Sequence, residues 1–235
     1  MAAHLLLDCG RMKNLKTEIL NDLADLLAQK NYPCVAALKS FHSKDYEMGI
    51  YDDFGSTSSS LSLASDLMKY AQKYDESKSP FFSFFAVFKN QEPLSDEEFE
   101  SRLWKELSGL ASRSEFPQTW DPYFSSNPAD KNFCFSLGGR AFFVVGLHKQ
   151  SARNSRQFKY PTLVFNLYEQ FRQLEKSGQF QPMVELNRKR DVKFQGAPNP
   201  VVVANGNDWE SIQFSGRENT AEWKCPFSKL LSLVR

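Results

Sequence analysis

The chain has 235 residues, with 29 Lys and Arg against 28 Asp and Glu, so its formal net charge is +1. A nearly neutral chain argues against a nucleic acid or an anionic membrane as its main partner. We predict a single domain over residues 1–235, which is long enough to bury a hydrophobic core without disulfide bonds or structural metal ions. Four cysteines without C-x-x-C spacing and the absence of a membrane-length apolar run predict a soluble, cytoplasmic protein.

Hydrophobic periodicity predicts alternating helices and strands in the first half of the chain. An apolar stripe at helical spacing predicts a helix over Met12–Lys30, which ends before Tyr32-Pro33-Cys34. Met48–Tyr51 is typical of a short strand. Gly55–Ser60 predicts a turn whose serines cap a helix over Leu61–Tyr74.

Strand and helix signals continue in the middle of the chain. The continuous apolar run Phe81–Phe88 predicts a buried strand. Ser95, with Glu98 three residues later, forms a capping box and predicts a helix to about Leu110. The polar stretch Phe116–Asp130 predicts a long loop of a kind that often carries function.

A glycine pair marks a β-hairpin in the second half. Strands are predicted over Phe133–Leu137 and Arg140–Leu147, joined at Gly138-Gly139, because glycine tolerates the positive φ of hairpin turns. The remaining predicted elements are a strand at Thr162–Phe165 and helices at Leu167–Lys176 and Pro182–Arg190. This mixture predicts the α+β class, as a two-layer sandwich of a mixed or antiparallel sheet with helices packed on it.

His148 is the first candidate site residue, because an apolar strand stops at it and strand ends often present functional groups. Lys149, Arg153 and Arg156 follow and add positive charge. This combination fits haem, with imidazole for the iron, apolar side chains for the macrocycle and guanidinium groups for the propionates. The alternative is a solvent-exposed histidine before a basic surface turn.

Several longer motifs carry a resemblance to a known family. The stretch SSNPADKNFCFSLGGRAFFVVGLHKQSARNSRQFKYPTLVFNLYEQF resembles the core of the YqcI/YcgG family. Further similar segments are YPCVAA at Tyr32–Ala37, GIYDDFGS at Gly49–Ser56, LWKEL at Leu103–Leu107, FQPMVELNRKRDVKFQ at Phe180–Gln195, NP at Asn199-Pro200, FSGR at Phe214–Arg217 and WKCPF at Trp223–Phe227. The resemblance covers nearly the whole chain.

The resemblance implies a haem enzyme, because the family is similar to haem-dependent N-hydroxylases such as that of the guanitoxin pathway. It implies haem b as cofactor, O2 or peroxide as oxidant, and hydroxylation of a guanidino or amino nitrogen of arginine or an arginine-like small molecule. The axial metal ligand falls on His148 of the GLH motif, with Arg153 and Arg156 as further cofactor-binding residues. Tyr168 replaces the histidine of the family's FNxHEQF motif and is the rival ligand.

A guanidinium substrate needs a carboxylate partner, and Asp52 and Asp53, with Glu47 nearby, are the candidate catalytic residues. The alternative for Asp52 and Asp53 is an ordinary polar turn. The carboxylate of the substrate needs a cation, either Arg140 or Arg217. Because no flavin or iron–sulfur motif is present, any electron donor is expected to be a separate chain. The alternative function is a non-catalytic haem-binding or small-ligand-binding protein.

Overall fold

A computed structural model describes residues 2–77, 79–90, 92–113, 119–197, 210–220 and 222–227. The Asn199-Pro200 motif and residues 116–118 of the predicted loop lie outside this set. The elements are α1 (Ala2–Ala28), α2 (Val35–Ser43), β1 (Tyr46–Tyr51), α3 (Thr57–Ser77), β2 (Ser83–Phe88), α4 (Asp96–Ala111), β3 (Ser136–Leu137), β4 (Arg140–Leu147), β5 (Thr162–Leu167), α5 (Tyr168–Lys176) and α6 (Phe180–Gln195), with 3-10 turns at Asn154–Arg156 and Glu210–Gln213.

The five strands form one mixed sheet in the order β1-β2-β5-β4-β3. β1 and β2 are parallel, whereas β5 is antiparallel to both of its neighbours. The carboxyl ends of β1, β2 and β4 therefore meet at one end of the sheet, and the carboxyl end of β5 lies at the other. We call these the His148 end and the Tyr168 end, after the residues that follow β4 and β5.

Helices pack on both faces of the sheet. On one face, sheet residues such as Phe84, Val144 and Phe165 join the cluster that α3 and α4 complete. On the other face, Phe85 and Val164 join the cluster that α1 completes. Every residue of β2 is buried, as expected for a strand covered on both sides. The α+β class, with helices packed on a mixed sheet, is confirmed. Helices on both faces give three layers where two were predicted.

Several predicted boundaries differ from the structure. α1 begins at Ala2, ten residues before the predicted start at Met12. The helix α2 was not predicted, because its N-cap is Cys34, whose sulfur accepts a hydrogen bond from the Ala37 N–H at 3.4 Å, and sulfur is not a usual capping group. α6 continues past the predicted end at Arg190 and stops where Gly196 adopts a φ of 88°.

Other local predictions are confirmed. Ser95 and Glu98 form the reciprocal capping box at the start of α4. Gly138 and Gly139 have φ values of 57° and 79°, so both positions of the hairpin turn need glycine. Cys34, Cys134 and Cys225 form no disulfide bond. No described helix is both long enough and apolar enough to cross a bilayer.

Candidate functional site

His148 lies at the end of β4 with only 1% of its surface exposed. Its Nε2 is 2.9 Å from Oδ1 of Asp96, and its Nδ1 is 3.2 Å from the carbonyl oxygen of Leu94. Its ring stacks on Phe99, with the ring centres 4.4 Å apart. The alternative of a solvent-exposed histidine is therefore wrong, and the imidazole connects β4 to the start of α4.

The capping box explains the position of Asp96, because α4 begins at this residue. Its Oδ1 contacts His148, and its Oδ2 accepts a hydrogen bond from the Ala152 N–H at 3.3 Å. Burial lowers the pKa of His148, against the opposing influences of the Asp96 carboxylate and the Leu94 carbonyl. Asp96 and His148 are 52 residues apart, so no local sequence pattern indicates this contact.

The two arginines after His148 point to different partners. Nη2 of Arg153 lies 2.7 Å from each carboxylate oxygen of Asp191 on α6. Nη1 of Arg156 donates hydrogen bonds to the carbonyl oxygens of Phe214, at 3.0 Å, and of Gly146, at 3.4 Å. The predicted cofactor-binding pair is thus split between an ion pair and two backbone contacts.

The His148 set does not fit haem in this arrangement. An iron ligand needs a ring nitrogen with a free lone pair, whereas both nitrogens of His148 face other protein groups. Asp191 already neutralises Arg153, so this guanidinium is not available to a propionate. The part of the chain that the structure describes also contains no group of three His, Cys, Asp or Glu side chains that could hold a metal ion.

Asp52 and Asp53 follow β1 at the His148 end of the sheet. Asp52 is exposed, and its carboxylate forms an ion pair at 2.8 Å with Nζ of Lys89, which follows β2. The carbonyl oxygen of Asp53 accepts a 3.4 Å hydrogen bond from the Ser56 N–H, as in a turn. Both residues lie across β2 and β5 from His148, and their catalytic role stays a prediction.

Both cations considered for the substrate carboxylate are paired with acids. Arg140, at the start of β4, forms an ion pair with Glu169 and another with Asp75. Arg217 contacts Glu97 at 3.1 Å and the buried Glu100 at 2.9 Å. Neither arginine is available to an anion without giving up a carboxylate.

Tyr168 lies at the opposite end of the sheet, as the first residue of α5. Its half-buried ring contacts Phe124 in an edge geometry with centres 4.4 Å apart, and Phe171 at 5.4 Å. Arg172, one helical turn later, stacks its guanidinium 4.0 Å from the ring centre of Tyr123. The Tyr168 end of the sheet therefore combines a phenol oxygen that can bind a metal, aromatic side chains and a guanidinium group.

The two proposed iron ligands lie far apart. Leu167 pairs with Phe142, and His148 follows six residues after Phe142 along β4. At roughly 3.3 Å per residue, Tyr168 and His148 are about 20 Å apart along the sheet. They cannot bind the same iron.

Glu106 on α4 is a buried carboxyl group that the sequence reasoning missed. Its Oε2 accepts a hydrogen bond from the Gly55 N–H at 2.7 Å, while its Oε1 has no hydrogen-bond partner among the described residues. Burial raises the pKa of Glu106 to about 7, against the lowering effect of Ser60 and of the Gly55 N–H. A sequence signal for Glu106 was present, because Glu106 and its partner Gly55 each belong to a motif that carries the family resemblance, LWKEL and GIYDDFGS.

The mixed sheet with helices on both faces, the buried His148–Asp96 contact and the aromatic Tyr168 end define an α+β protein with two chemically different sheet ends. The chain belongs to the YqcI/YcgG family, whose sequence profile matches residues 23–228. No curated protein and no solved structure matches the chain.

Proposed function

We propose that this protein is a haem-dependent N-oxygenase of a guanidino or amino group in arginine or an arginine-like small molecule, with Tyr168 as the iron ligand in place of His148. The observation that supports this is the position of Tyr168. It presents a phenol beside Phe124 and Phe171 at the place where the FNxHEQF motif of the resembling family has histidine. Tyrosine is an established haem ligand.

The residues around Tyr168 suit the demands of the cofactor. Phe124 and Phe171 offer apolar surface to a flat macrocycle. Arg172 offers a guanidinium to a propionate, because its 3.8 Å contact with Asp121 is much looser than the 2.7 Å ion pair that occupies Arg153. Asp121 holds the adjoining loop, because its Oδ1 accepts a 2.9 Å hydrogen bond from the Tyr123 N–H and lies 3.8 Å from Arg172. When bound, haem supplies the oxygen chemistry, while the protein supplies ligation and orientation.

This placement changes the expected acid partner of the substrate. Asp52 and Asp53 lie at the far end of the sheet, whereas Glu169 immediately follows Tyr168. Arg140 now holds Glu169. A substrate guanidinium has the same planar donor fork as Arg140, so it can replace that arginine as the partner of the carboxylate. Glu169 is therefore the proposed substrate-binding carboxylate.

The second candidate function is a non-catalytic haem-binding or small-ligand-binding protein. The observation that favours it is the same Tyr168, because a phenolate replaces the imidazole of the resembling motif and changes the electronic properties of the iron. In either case, any electron donor is a separate chain.

The visible spectrum of the purified, haem-supplemented protein tests the ligand. We expect a Soret band in the wild type, loss or strong weakening of it in Tyr168→Phe, and retention at a shifted wavelength in Tyr168→His, which restores the family's residue. A wild type that takes up no haem would overturn the proposal. An unchanged spectrum in Tyr168→Phe, together with loss of the band in a folded His148→Gln variant, would return the ligand to His148.

Turnover separates the enzyme from the binder. Incubation of the haem-loaded protein with arginine and peroxide, or with oxygen and a chemical reductant, should give an N-hydroxylated product detectable by mass spectrometry. A haem-loaded protein that gives no product from arginine or from a panel of guanidines and amines would favour the non-catalytic function.

A further inference from the structure

Arg156, the last residue of the 3-10 turn Asn154–Arg156, is buried, with 9% of its surface exposed. Its guanidinium lies against the backbone of Gly216, where an added Cβ would come within 2.5 Å of Cδ of Arg156. Gly216 has a φ of 82°, so both its conformation and its closeness to the arginine require glycine. The chain is built closely around this side chain.

Arg156 differs from the other arginines discussed above, because no carboxylate of the described residues forms an ion pair with it. Arg140, Arg153 and Arg217 each form an ion pair with a carboxylate. In the described part of the chain, the hydrogen-bond acceptors of Arg156 are the carbonyl oxygens of Gly146 and Phe214, and both contact Nη1. Nε and Nη2 have no acceptor there.

The charge on Arg156 is retained despite its burial. Burial, followed by the positive charge of Arg153, lowers the pKa of Arg156 to about 10, so the group is still protonated at neutral pH. A buried charge without a counter-ion is unfavourable by several kcal/mol, and two carbonyl contacts offset this only in part. The fold therefore keeps a largely desolvated cation whose Nε and Nη2 donate to no described residue.

The charged side chains that act on Arg156 are Arg153 and Asp191, which form an ion pair with each other. Cys34, the N-cap residue of α2, lies nearby. Arg156 is close enough to the Cys34 thiol to lower its pKa, against the larger raising effect of burial. The amino end of α2 adds a partial positive charge. Because Arg153 is the ion-pair partner of Asp191, Arg156 has no carboxylate of its own among the described residues.

We propose that Arg156 is the anchor of a binding site for a small oxyanion, either a carboxylate or a phosphate, which accepts hydrogen bonds from Nε and Nη2 of its guanidinium. A planar or tetrahedral oxyanion matches the two parallel donors of that edge and supplies the missing negative charge. The site does not depend on haem and lies near the His148 end of the sheet, away from Tyr168.

Calorimetric titration of the full chain with sodium phosphate or with sodium acetate, at constant ionic strength set with sodium chloride, tests the site. We expect saturable one-to-one binding of at least one probe, and the tighter of the two identifies the oxyanion class. Arg156→Met removes the charge at similar length and should weaken binding roughly tenfold to a hundredfold, the range for a charge-assisted hydrogen bond. Arg156→Lys keeps the charge but loses the fork, so it should bind with intermediate affinity.

Arg11→Met is the matched control, because it removes the same charge from an exposed position of α1 that belongs to neither site. It should bind the probe as the wild type does. Absence of saturable binding of both probes to the wild type would overturn the proposal. Equal weakening in Arg156→Met and Arg11→Met would also overturn it, because it would indicate only a general charge effect. If Arg156→Met fails to fold, Arg156→Lys decides, since wild-type affinity in that variant would also overturn the proposed bidentate contact.

Discussion

At the scale of single residues, His148 has two partners that both accept hydrogen bonds, the carbonyl of Leu94 and the carboxylate of Asp96. A neutral imidazole carries one N–H and can satisfy only one of them, whereas an imidazolium can satisfy both. Burial opposes the charged form and lowers the pKa of His148. Burial therefore favours the neutral imidazole and the two acceptors favour the imidazolium, so the contribution of His148 to stability should depend on pH.

The unfolding free energy should fall on acidification because of His148. Its folded-state pKa lies below the unfolded value, so the unfolded chain binds more protons, and the stability present above the unfolded pKa is lost as pH falls through the folded pKa. In urea unfolding between about pH 5.5 and 7.5, His148→Gln should show a flatter curve than the wild type. His42→Gln, at an exposed position of α2, is the control, and equal flattening in both variants would contradict the assignment.

Glu106 should have the opposite pH dependence. Its pKa is raised to about 7, so its contribution to stability is complete below the unfolded pKa and is lost as pH rises through the folded value. Glu106→Gln keeps the acceptor for the Gly55 N–H and removes the ionisation. We expect this variant to exceed the wild type in unfolding free energy by on the order of 2 kcal/mol at about pH 8.5. The two proteins should converge near pH 5, and a constant difference across this range would contradict the role of ionisation.

At the scale of secondary-structure elements, the sequence predicted an element correctly where the residues that stabilise it are close together in the chain. The bounds of β4 were predicted because its apolar run is continuous in the sequence, and the capping box of α4 was predicted because Ser95 and Glu98 are three residues apart. The helix α2 was missed because its N-cap is Cys34, which is not a usual capping residue. In addition, the first N–H of α2, that of Val35, donates a 3.0 Å hydrogen bond to Oδ1 of Asn187 on α6. That contact spans 152 residues and leaves no local signal.

The start of α4 should be more sensitive to substitution than its end. Ser95→Ala removes the capping hydrogen bond to the Glu98 N–H, and the same turn carries Asp96, the partner of His148. We expect a loss of about 1 kcal/mol in unfolding free energy from the cap alone. Ser112→Ala, at the other end of α4, removes only an exposed 3.2 Å hydrogen bond to the Gly109 carbonyl and is the control. Thermal or urea unfolding measures both variants, and a larger loss of unfolding free energy in Ser112→Ala than in Ser95→Ala would contradict this prediction.

At the scale of the whole molecule, the sheet order separates residues that the sequence analysis grouped into one site. His148 and Tyr168 are 20 positions apart, but β4 and β5 are antiparallel, so the residues that follow them lie at opposite ends. Motif order alone could not give the strand pairing that separates them. The same sheet order brings Asp52 and Asp53 to the His148 end, although 95 positions separate Asp53 from His148.

This separation yields a test of which sheet end carries the chemistry. If Tyr168 binds the iron, the double variant Asp52→Asn, Asp53→Asn should keep the Soret band and turn over arginine within about twofold of the wild type, because both positions lie about 20 Å from the phenol. Glu169→Gln, beside Tyr168, should keep the band but raise the KM for arginine roughly tenfold or more, as expected for loss of a charge-assisted contact.

The reverse result has an equally definite meaning. If the Asp52, Asp53 variant loses turnover with its Soret band intact while Glu169→Gln is unaffected, the substrate guanidinium binds at the His148 end. The haem would then have to lie there too, which requires His148 to leave both Asp96 and Leu94. That rearrangement would break the contact between β4 and the start of α4, so haem loading would expose the Ala152 amide that Asp96 also holds. Faster amide hydrogen exchange at Ala152 in the haem-loaded protein than in the haem-free protein would identify this case, and equal exchange would be the result expected for haem at Tyr168.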